Sequence, residues 1–447
     1  MFSINSKRYL LWIALAGVVA CIGCSNSNRS SEGSASRIAA ASPIPADTKA
    51  SERVIRFLED RVKRDPDDFI ALNKLATQYL QRQRETGSVD YIDLSLRAAR
   101  GSMAAMPDYL NKGGLAALAQ AEFAAHEFSA ARDHAVRLTE IDSQKSYAYQ
   151  ILADALIELG DYDGAARAIE NMTRSGAAST SLESRLGRYS LLHGDAQGAS
   201  QHFSRALSLA LSEESAKAES VAWLRWQMGE TAFSTGDYQS AEKSYRDALV
   251  TLPNYYRALA SMGRVRAAQS DLQGAIESYE RAVSIVPDPS FVGALGDLYQ
   301  LAGRNEDAAA QFALVDQIER LGKARGSIYN RLIALFHADH DSKLEDAYQS
   351  AAAEYSARRD VYGADAVAWT ALKSGRLTEA QSSIREALRL GTRDAKLFYH
   401  AGMIALASGD TASARDFLQR ALTLNPHFDP IQATNARKAL ERCAPGA

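Results

Sequence analysis

The sequence predicts an all-α protein, a solenoid of about ten helical hairpins stacked along one chain. Three observations lead there. Alanine is abundant while valine and isoleucine are sparse, which favours helices because alanine loses no side-chain entropy on entering one. A short phrase built on glycine, a polar residue and a later alanine recurs in phase along the chain. The cysteines Cys21, Cys24 and Cys443 lie at the two ends, so neither a disulfide framework nor a cysteine-based zinc site holds the body together.

At 447 residues the chain is too long for one ordinary compact core. Charged residues make up 23% and hydrophobic residues 46%, which is ordinary for a folded body in water. A formal net charge of -3 gives no electrostatic case for nucleic acid or for an anionic membrane surface, so no nucleic-acid partner is expected.

The N-terminal element comes first. Lys7 and Arg8 precede an uncharged apolar run from Leu10 to Ala20. That run is shorter than the ~20 residues a spanning helix needs and has the charge and length of a signal peptide. It ends in Ala20-Cys21 and again in Gly23-Cys24. A small residue before a cysteine at this place resembles the lipobox of bacterial lipoproteins, which implies cleavage before the cysteine and lipidation of its thiol. Val18-Val19-Ala20-Cys21 fits the upstream pattern, while Cys24 is followed directly by polar Ser25-Asn26-Ser27-Asn28. Cys24 is the favoured lipidation site, with Cys21 the alternative. Neither is followed by Asp, which by analogy leaves outer-membrane sorting open. The expected division is a signal peptide over 1–23, a flexible Ser/Asn/Ala-rich tether over 24–50, the solenoid over 51–428, and a C-terminal capping helix and tail over 429–447. The tether holds almost no large apolar residues to offset the entropy of ordering it.

The repeat phrase reads Gly160-Asp161-Tyr162 to Ala165, then Gly236-Asp237-Tyr238 to Ala241. Weaker copies begin at Gly194, Ser270, Gly303, Gly375 and Gly409, and His126-Glu127-Phe128 to Ala131 has lost the glycine. Alanines 131, 165 and 199 are spaced by 34 residues, as are 241 and 275, and 380 and 414. Upstream lie pairs such as Met228-Gly229 and Met262-Gly263; downstream come Tyr245 and Ala248, or Tyr279 and Ala282. Glycine at 236 sits where one helix stops and reverses. The aromatic and the second alanine fall at i+4 and i+7 from the key alanine, on one helix face. Pro253, Pro287 and Pro426 close units because proline cannot continue the backbone ladder. Each hairpin leaves an apolar face that the next one buries.

These residues at this spacing resemble the tetratricopeptide repeat, over about residues 69–428 and with the clearest match at 222–289. The resemblance implies a right-handed superhelix. Units are expected to start near 69, 112, 146, 180, 222, 256, 289, 328, 361 and 395. The first is stretched by Thr86-Gly87-Ser88-Val89, an insertion near 211–215 breaks phase, and the unit at 328–360 is degenerate. Capping helices are expected over 52–64 and 431–443.

In the family that the repeats resemble, the first helix of each hairpin lines a concave groove that holds peptide or protein segments. Its groove positions fall here on Trp223, Trp226, Glu230, Arg257, Arg264, Asp297, Tyr362, Asp365, Trp369 and Tyr399. Tryptophan, tyrosine and arginine carry most of the energy in protein interfaces. The competing role for each is packing between hairpins or salt bridging within the superhelix. Arg257 and Arg264 could act on an acidic group. His337 and His340, in His337-Ala338-Asp339-His340-Asp341, form the one dense histidine–carboxylate cluster and a weak candidate for a metal; a solvated turn is the alternative. No phosphate loop, zinc-protease motif or nucleophile elbow is present. No cofactor and no catalysis are therefore expected. The expectation is a scaffold, lipid-anchored in the bacterial cell envelope, that binds protein or peptide partners. A glycan- or small-molecule-binding envelope lipoprotein is the alternative, and a metal-dependent enzyme using His337 and His340 a remoter one.

Overall fold

The computed structural model describes residues 48–176, 178–213, 216–324 and 331–443. The signal-peptide expectation, Cys21, Cys24 and the expected tether up to residue 47 lie outside the described residues, and residues 48–50, expected as tether, belong to the first helix. Among the described residues there are helices and no strand, an all-α repeat solenoid. Helix α1 (Thr48–Arg64) is followed by ten hairpins. The first five pair α2 (Phe69–Thr86) with α3 (Asp90–Ala105), α4 (Lys112–Ala124) with α5 (Phe128–Ile141), α6 (Ser146–Leu159) with α7 (Tyr162–Arg174), α8 (Thr180–Leu192) with α9 (Ala196–Ser212), and α10 (Ala218–Ser234) with α11 (Tyr238–Thr251). The next five pair α12 (Tyr256–Ala268) with α13 (Leu272–Ile285), α14 (Pro289–Leu301) with α15 (Asn305–Ala324), α16 (Arg331–Asp339) with α17 (Leu344–Ala357), α18 (Val361–Lys373) with α19 (Leu377–Ala387), and α20 (Ala395–Ala407) with α21 (Thr411–Leu424). Helix α22 (Gln432–Arg442) closes the series.

Eight of the ten expected unit starts coincide with the first residue of a helix. The unit expected at 222 begins at Ala218, because Ala218, Glu219 and Val221 are already buried. The start expected at 328 lies outside the described residues; the first helix of that unit is described from Arg331. The expected capping helices are α1, where Ile55 and Leu58 pack on Leu72 and Leu75, and α22, where Ala436, Ala439 and Cys443 pack on Leu418 and Ala421. Cys443 is thus buried rather than available for pairing. No described helix is long and apolar enough to cross a membrane.

Each recurring residue has a physical task. Gly160, Gly194, Gly236 and Gly409 hold φ between 75 and 80°, the left-handed conformation that ends a first helix. The next residue starts the second helix as its N-cap: the carboxylates of Asp161, Asp195, Asp237, Asp271 and Asp410 accept the backbone N–H three residues on, at 2.8 to 3.1 Å. Such a cap contributes about 1 kcal/mol. The polar residue of the repeat phrase is therefore structural. Prolines 253, 287 and 426 stand two residues past the ends of α11, α13 and α21. Glycines in the first helices let the second helix close in: a Cβ on Gly187 would lie 2.8 Å from Phe203, on Gly263 2.5 Å from Tyr279, and on Gly402 2.7 Å from Leu418.

The solenoid also touches itself at long range. Turns of α6–α7, α8–α9 and α10–α11 meet the links that lead into α18, α20 and α22. The Val361 N–H donates to the Tyr162 hydroxyl at 2.9 Å, and the Thr392 hydroxyl to the Leu192 carbonyl at 2.5 Å. Partners are separated by about 190 to 229 residues along the chain, so the coil returns on itself after about six hairpins.

Candidate functional site

First helices supply the inner wall of the coil. Arg84, Phe123, Gln150, Asp154 and Arg185, from α2, α4, α6 and α8, line two adjoining cavities of about 540 and 640 Å³. Arg257 and Arg358 complete the first; Arg188, Lys217, Glu219 and Trp223 are among those completing the second.

Charges on this wall are mostly paired between successive hairpins. Arg264 contacts Glu230 at 2.6 Å, 34 residues earlier and at the same place in its unit. Arg188 reaches Glu158 at 3.0 Å and Asp154 at 3.6 Å. Glu230 also accepts from Tyr245 and Ser261, each at 2.7 Å. Burial pushes its carboxyl up, but Arg264 and those hydroxyls outweigh that and hold it below the usual range. Arg264 is further committed over the Phe233 ring, at 4.2 Å. It is therefore an internal partner, not a free cation for an acidic group.

Arg257 differs. Among the described residues its side chain has no carboxylate in ion-pair range, while the other arginines of the first cavity do: Arg84 with Glu219 at 3.5 Å, Arg185 with Asp154 at 2.5 Å, and Arg358 with Glu158. Its guanidinium lies 5.5 Å from the Trp226 ring centre and 5.2 Å from that of Tyr256. Trp226 in turn donates to the Ser261 hydroxyl at 2.9 Å. Trp223 is half-buried, edge-on to Phe203 at 6.2 Å, and lines the second cavity. Arg84, Gln120 and Arg257 are among the residues exposed on the first cavity, and Lys217 among those exposed on the second. Tyr362, 39% exposed, borders a smaller cavity with Arg188 and Arg358.

The remaining predicted positions are not brought to this surface. Trp369 and Tyr399 are each 3% exposed. Trp369 stacks on His400 at 4.2 Å and donates to Asp339 at 2.7 Å. Tyr399 packs on Trp369 and Phe428. Asp365 is buried and pairs with His400 at 2.9 Å. Helix α22 covers this end: Gln432 reaches Asp339 at 2.8 Å. Sequence position assigned Trp369 and Tyr399 to an open groove; the capping helix makes them core. Arg185 and Arg358 sit off the periodic groove positions, which is why sequence spacing does not single them out; Lys396 does fall on one, the second of its unit, and pairs with Asp339 at 3.2 Å.

Asp297 and His340 pair with each other at 2.8 Å. Burial lowers the His340 pKa, but the Asp297 bond more than offsets it and the net shift is upward. His337 turns the other way, to Glu319 at 3.1 Å and the Ser342 hydroxyl at 2.9 Å. The two histidines therefore do not share a site. A different trio, Asp316, Glu319 and His337, has its ligand atoms within 4.8 Å of one another. Lys343 already fills it, at 2.7 Å from Asp316 and 2.9 Å from Glu319, and Lys323 lies 2.7 Å from Glu319. Two ammonium groups stand where a cation would sit, so the residues present do not fit a metal.

The sequence model of the tetratricopeptide repeat matches residues 151–218, 227–290 and 366–427. The matched segments keep the phase that the spacing predicts, each beginning five residues into a predicted unit. No curated protein sequence matches the chain. Among solved structures, the human IFIT1 dimer with PPP-AAAA is similar at 12% identity, covering 85% of this chain and 95% of that one, with a TM-score of 0.46. PilW, a type IV pilus biogenesis factor, is similar at 14% identity over 46% of this chain and 92% of its own, TM-score 0.40. YrrB, described as a tetratricopeptide-repeat protein with an unusual peptide-binding site, is similar at 20% identity over 40% of this chain and 88% of its own, TM-score 0.29.

Proposed function

We propose that this chain is a scaffold, lipid-anchored in the bacterial cell envelope through Cys24 or Cys21, that holds extended segments of partner proteins against the inner wall of its coil. Repeats of this kind serve as protein-interaction scaffolds, and that coarser reading rests on the matched segments. One observation carries the finer one. Arg257 stands on the cavity wall without a carboxylate, held between two aromatic rings, while its arginine neighbours are neutralised. A cation with no carboxylate in ion-pair range on a partly enclosed wall suits a polar or acidic group on an incoming chain. The nearby Trp223 offers the apolar contact that interface hot spots use. The anchor rests on the lipobox resemblance alone.

The reading is tested by crosslinking in cells and affinity purification of the full chain. Arg257→Ala should lose the crosslinked partners while melting as the parent does, and Trp223→Ala should lose the same partners with a lowered melting temperature, since its ring also packs on Phe203. Partners retained by both variants would remove the groove from consideration. Detergent-phase partitioning should be abolished by Cys24→Ser, or by Cys21→Ser if that thiol carries the lipid. Partitioning unchanged in the double variant would end the anchor hypothesis.

A further inference from the structure

The contacts between successive turns of the coil form a seam, and its make-up differs from that of the hairpins. Hairpin pairs bury continuous apolar faces. Across the seam one small apolar cluster forms, where Val361 and Leu390 dock on Ile157, Tyr162 and Leu192. Beside the close approach of Pro426 to Gly236 and of Val286 and Tyr256 to Gly87, the side-chain contacts are largely polar. Arg358 pairs with Glu158; Arg389 donates to the Gly160 carbonyl at 3.1 Å and lies over the Tyr162 ring at 5.1 Å. At the far end Asn425 donates to the Phe233 carbonyl at 2.7 Å and accepts from the Tyr238 hydroxyl at 2.5 Å. The same hydroxyl accepts from the His427 N–H at 3.1 Å. Close approach is built in: a Cβ on Gly194, whose φ is 75°, would lie 2.6 Å from the Gly391 carbonyl oxygen.

We propose that this seam is a clasp, which opens as one unit with the hairpins intact and gives a chain segment sideways entry to the inner wall. The physical ground is the contrast in cohesion. Hydrogen bonds exchanged with water contribute little net cohesion each, whereas parting two hairpins would expose whole apolar faces. Water can replace the seam's polar bonds and cannot replace the hairpin packing. What the clasp admits rests on the groove reading above; that the clasp opens does not.

The test uses hydrogen exchange of the full chain, without any partner. The Val361 N–H reports one end of the seam and Asn425→Ala perturbs the other. Val361 should exchange at least tenfold faster than the α18 amides 366–370. Asn425→Ala should speed Val361 a further threefold or more, leaving 366–370 and the helical circular dichroism unchanged. If Val361 is indifferent to Asn425→Ala, or if 366–370 accelerate in step with it, the seam does not open as a unit and the clasp is refuted. In neither case is the Arg257 reading affected. Tyr238→Phe, which removes a single hydroxyl, should repeat the Asn425→Ala result.

Discussion

Gly229 faces the ring of Tyr245 so closely that a Cβ at residue 229 would overlap the ring's Cε1 and Cδ1. Tyr245 cannot move aside: it is fully buried, and its hydroxyl is tied to Glu230 at 2.7 Å. Gly229→Ala gains about 1 kcal/mol in helix propensity. Overpacking a rigid core costs about 1–3 kcal/mol, and a ring held at both ends puts this site at the upper end. The clash wins. The variant should lose on the order of 2 kcal/mol, read as faster amide exchange in α10 and α11. Unchanged exchange there would show that the two helices can slide apart freely.

Ser270 occupies the place that glycine holds at 236 and 303, and it has a φ of 66°. A side chain in that conformation costs about 1 kcal/mol or more. Ser270 is exposed, so nothing else depends on it. Ser270→Gly should therefore stabilise the α12–α13 hairpin by about 0.5 kcal/mol, after the greater freedom of glycine in the unfolded chain is counted. The reciprocal change, Gly303→Ser, meets nothing within 4 Å and should destabilise through backbone strain alone. Chemical denaturation of both variants checks the pair. Shifts of the same sign would contradict the argument.

The hairpins were legible because their determinants are local and recur in phase. Gly236, Ala241 and Tyr245 act within one unit or on the next. The Glu230–Arg264 pair was legible by the same rule, since opposite charges stand 34 residues apart at equivalent positions. The aspartate beside each glycine carried a readable signal as well, an N-cap before a periodic run. What could not be read lies outside the period. Trp369 and Tyr399 occupy inner-face positions by phase, yet α22 and Phe428 cover them. The seam joins residues such as Tyr162 and Val361, 199 apart, whose meeting depends on the accumulated rotation of every hairpin between them. No single unit encodes that rotation.

Glu319 makes the α15–α17 region acid-sensitive. Burial pushes its carboxyl up, but hydrogen bonds from Lys323, Lys343 and His337 overcome this and bring it down to about 2. A carboxyl whose pKa is depressed in the folded state adds stability above its unfolded value, near 4.5, and loses it as pH falls toward 2. The contribution is on the order of 3 kcal/mol at neutral pH. Glu319→Gln should be less stable than the parent at pH 7 and converge with it near pH 2. Melting curves across that range decide it. Parallel curves at every pH would show that the pairing contributes no pH dependence.

The same lysines govern what the acidic trio can bind. Asp316, Glu319 and His337 are spaced closely enough to ligate a cation, but the Lys343 ammonium bridges both carboxylates. A divalent ion would have to displace a charge-assisted contact and then sit beside the displaced ammonium. Zinc should therefore leave the melting temperature of the parent unchanged within about 1 °C. Lys343→Met removes the competing charge while keeping the length of the stem. It leaves two carboxylates and a neutral imidazole with one remaining lysine, Lys323, on Glu319. Burial already favours the neutral form of His337, the form that ligates. Zinc should then raise the melting temperature of Lys343→Met by a few degrees, and His337→Ala in that background should cancel the rise. A zinc-dependent shift in the parent protein would mean that the ammonium yields to the metal, and the region would have to be reconsidered as a metal site.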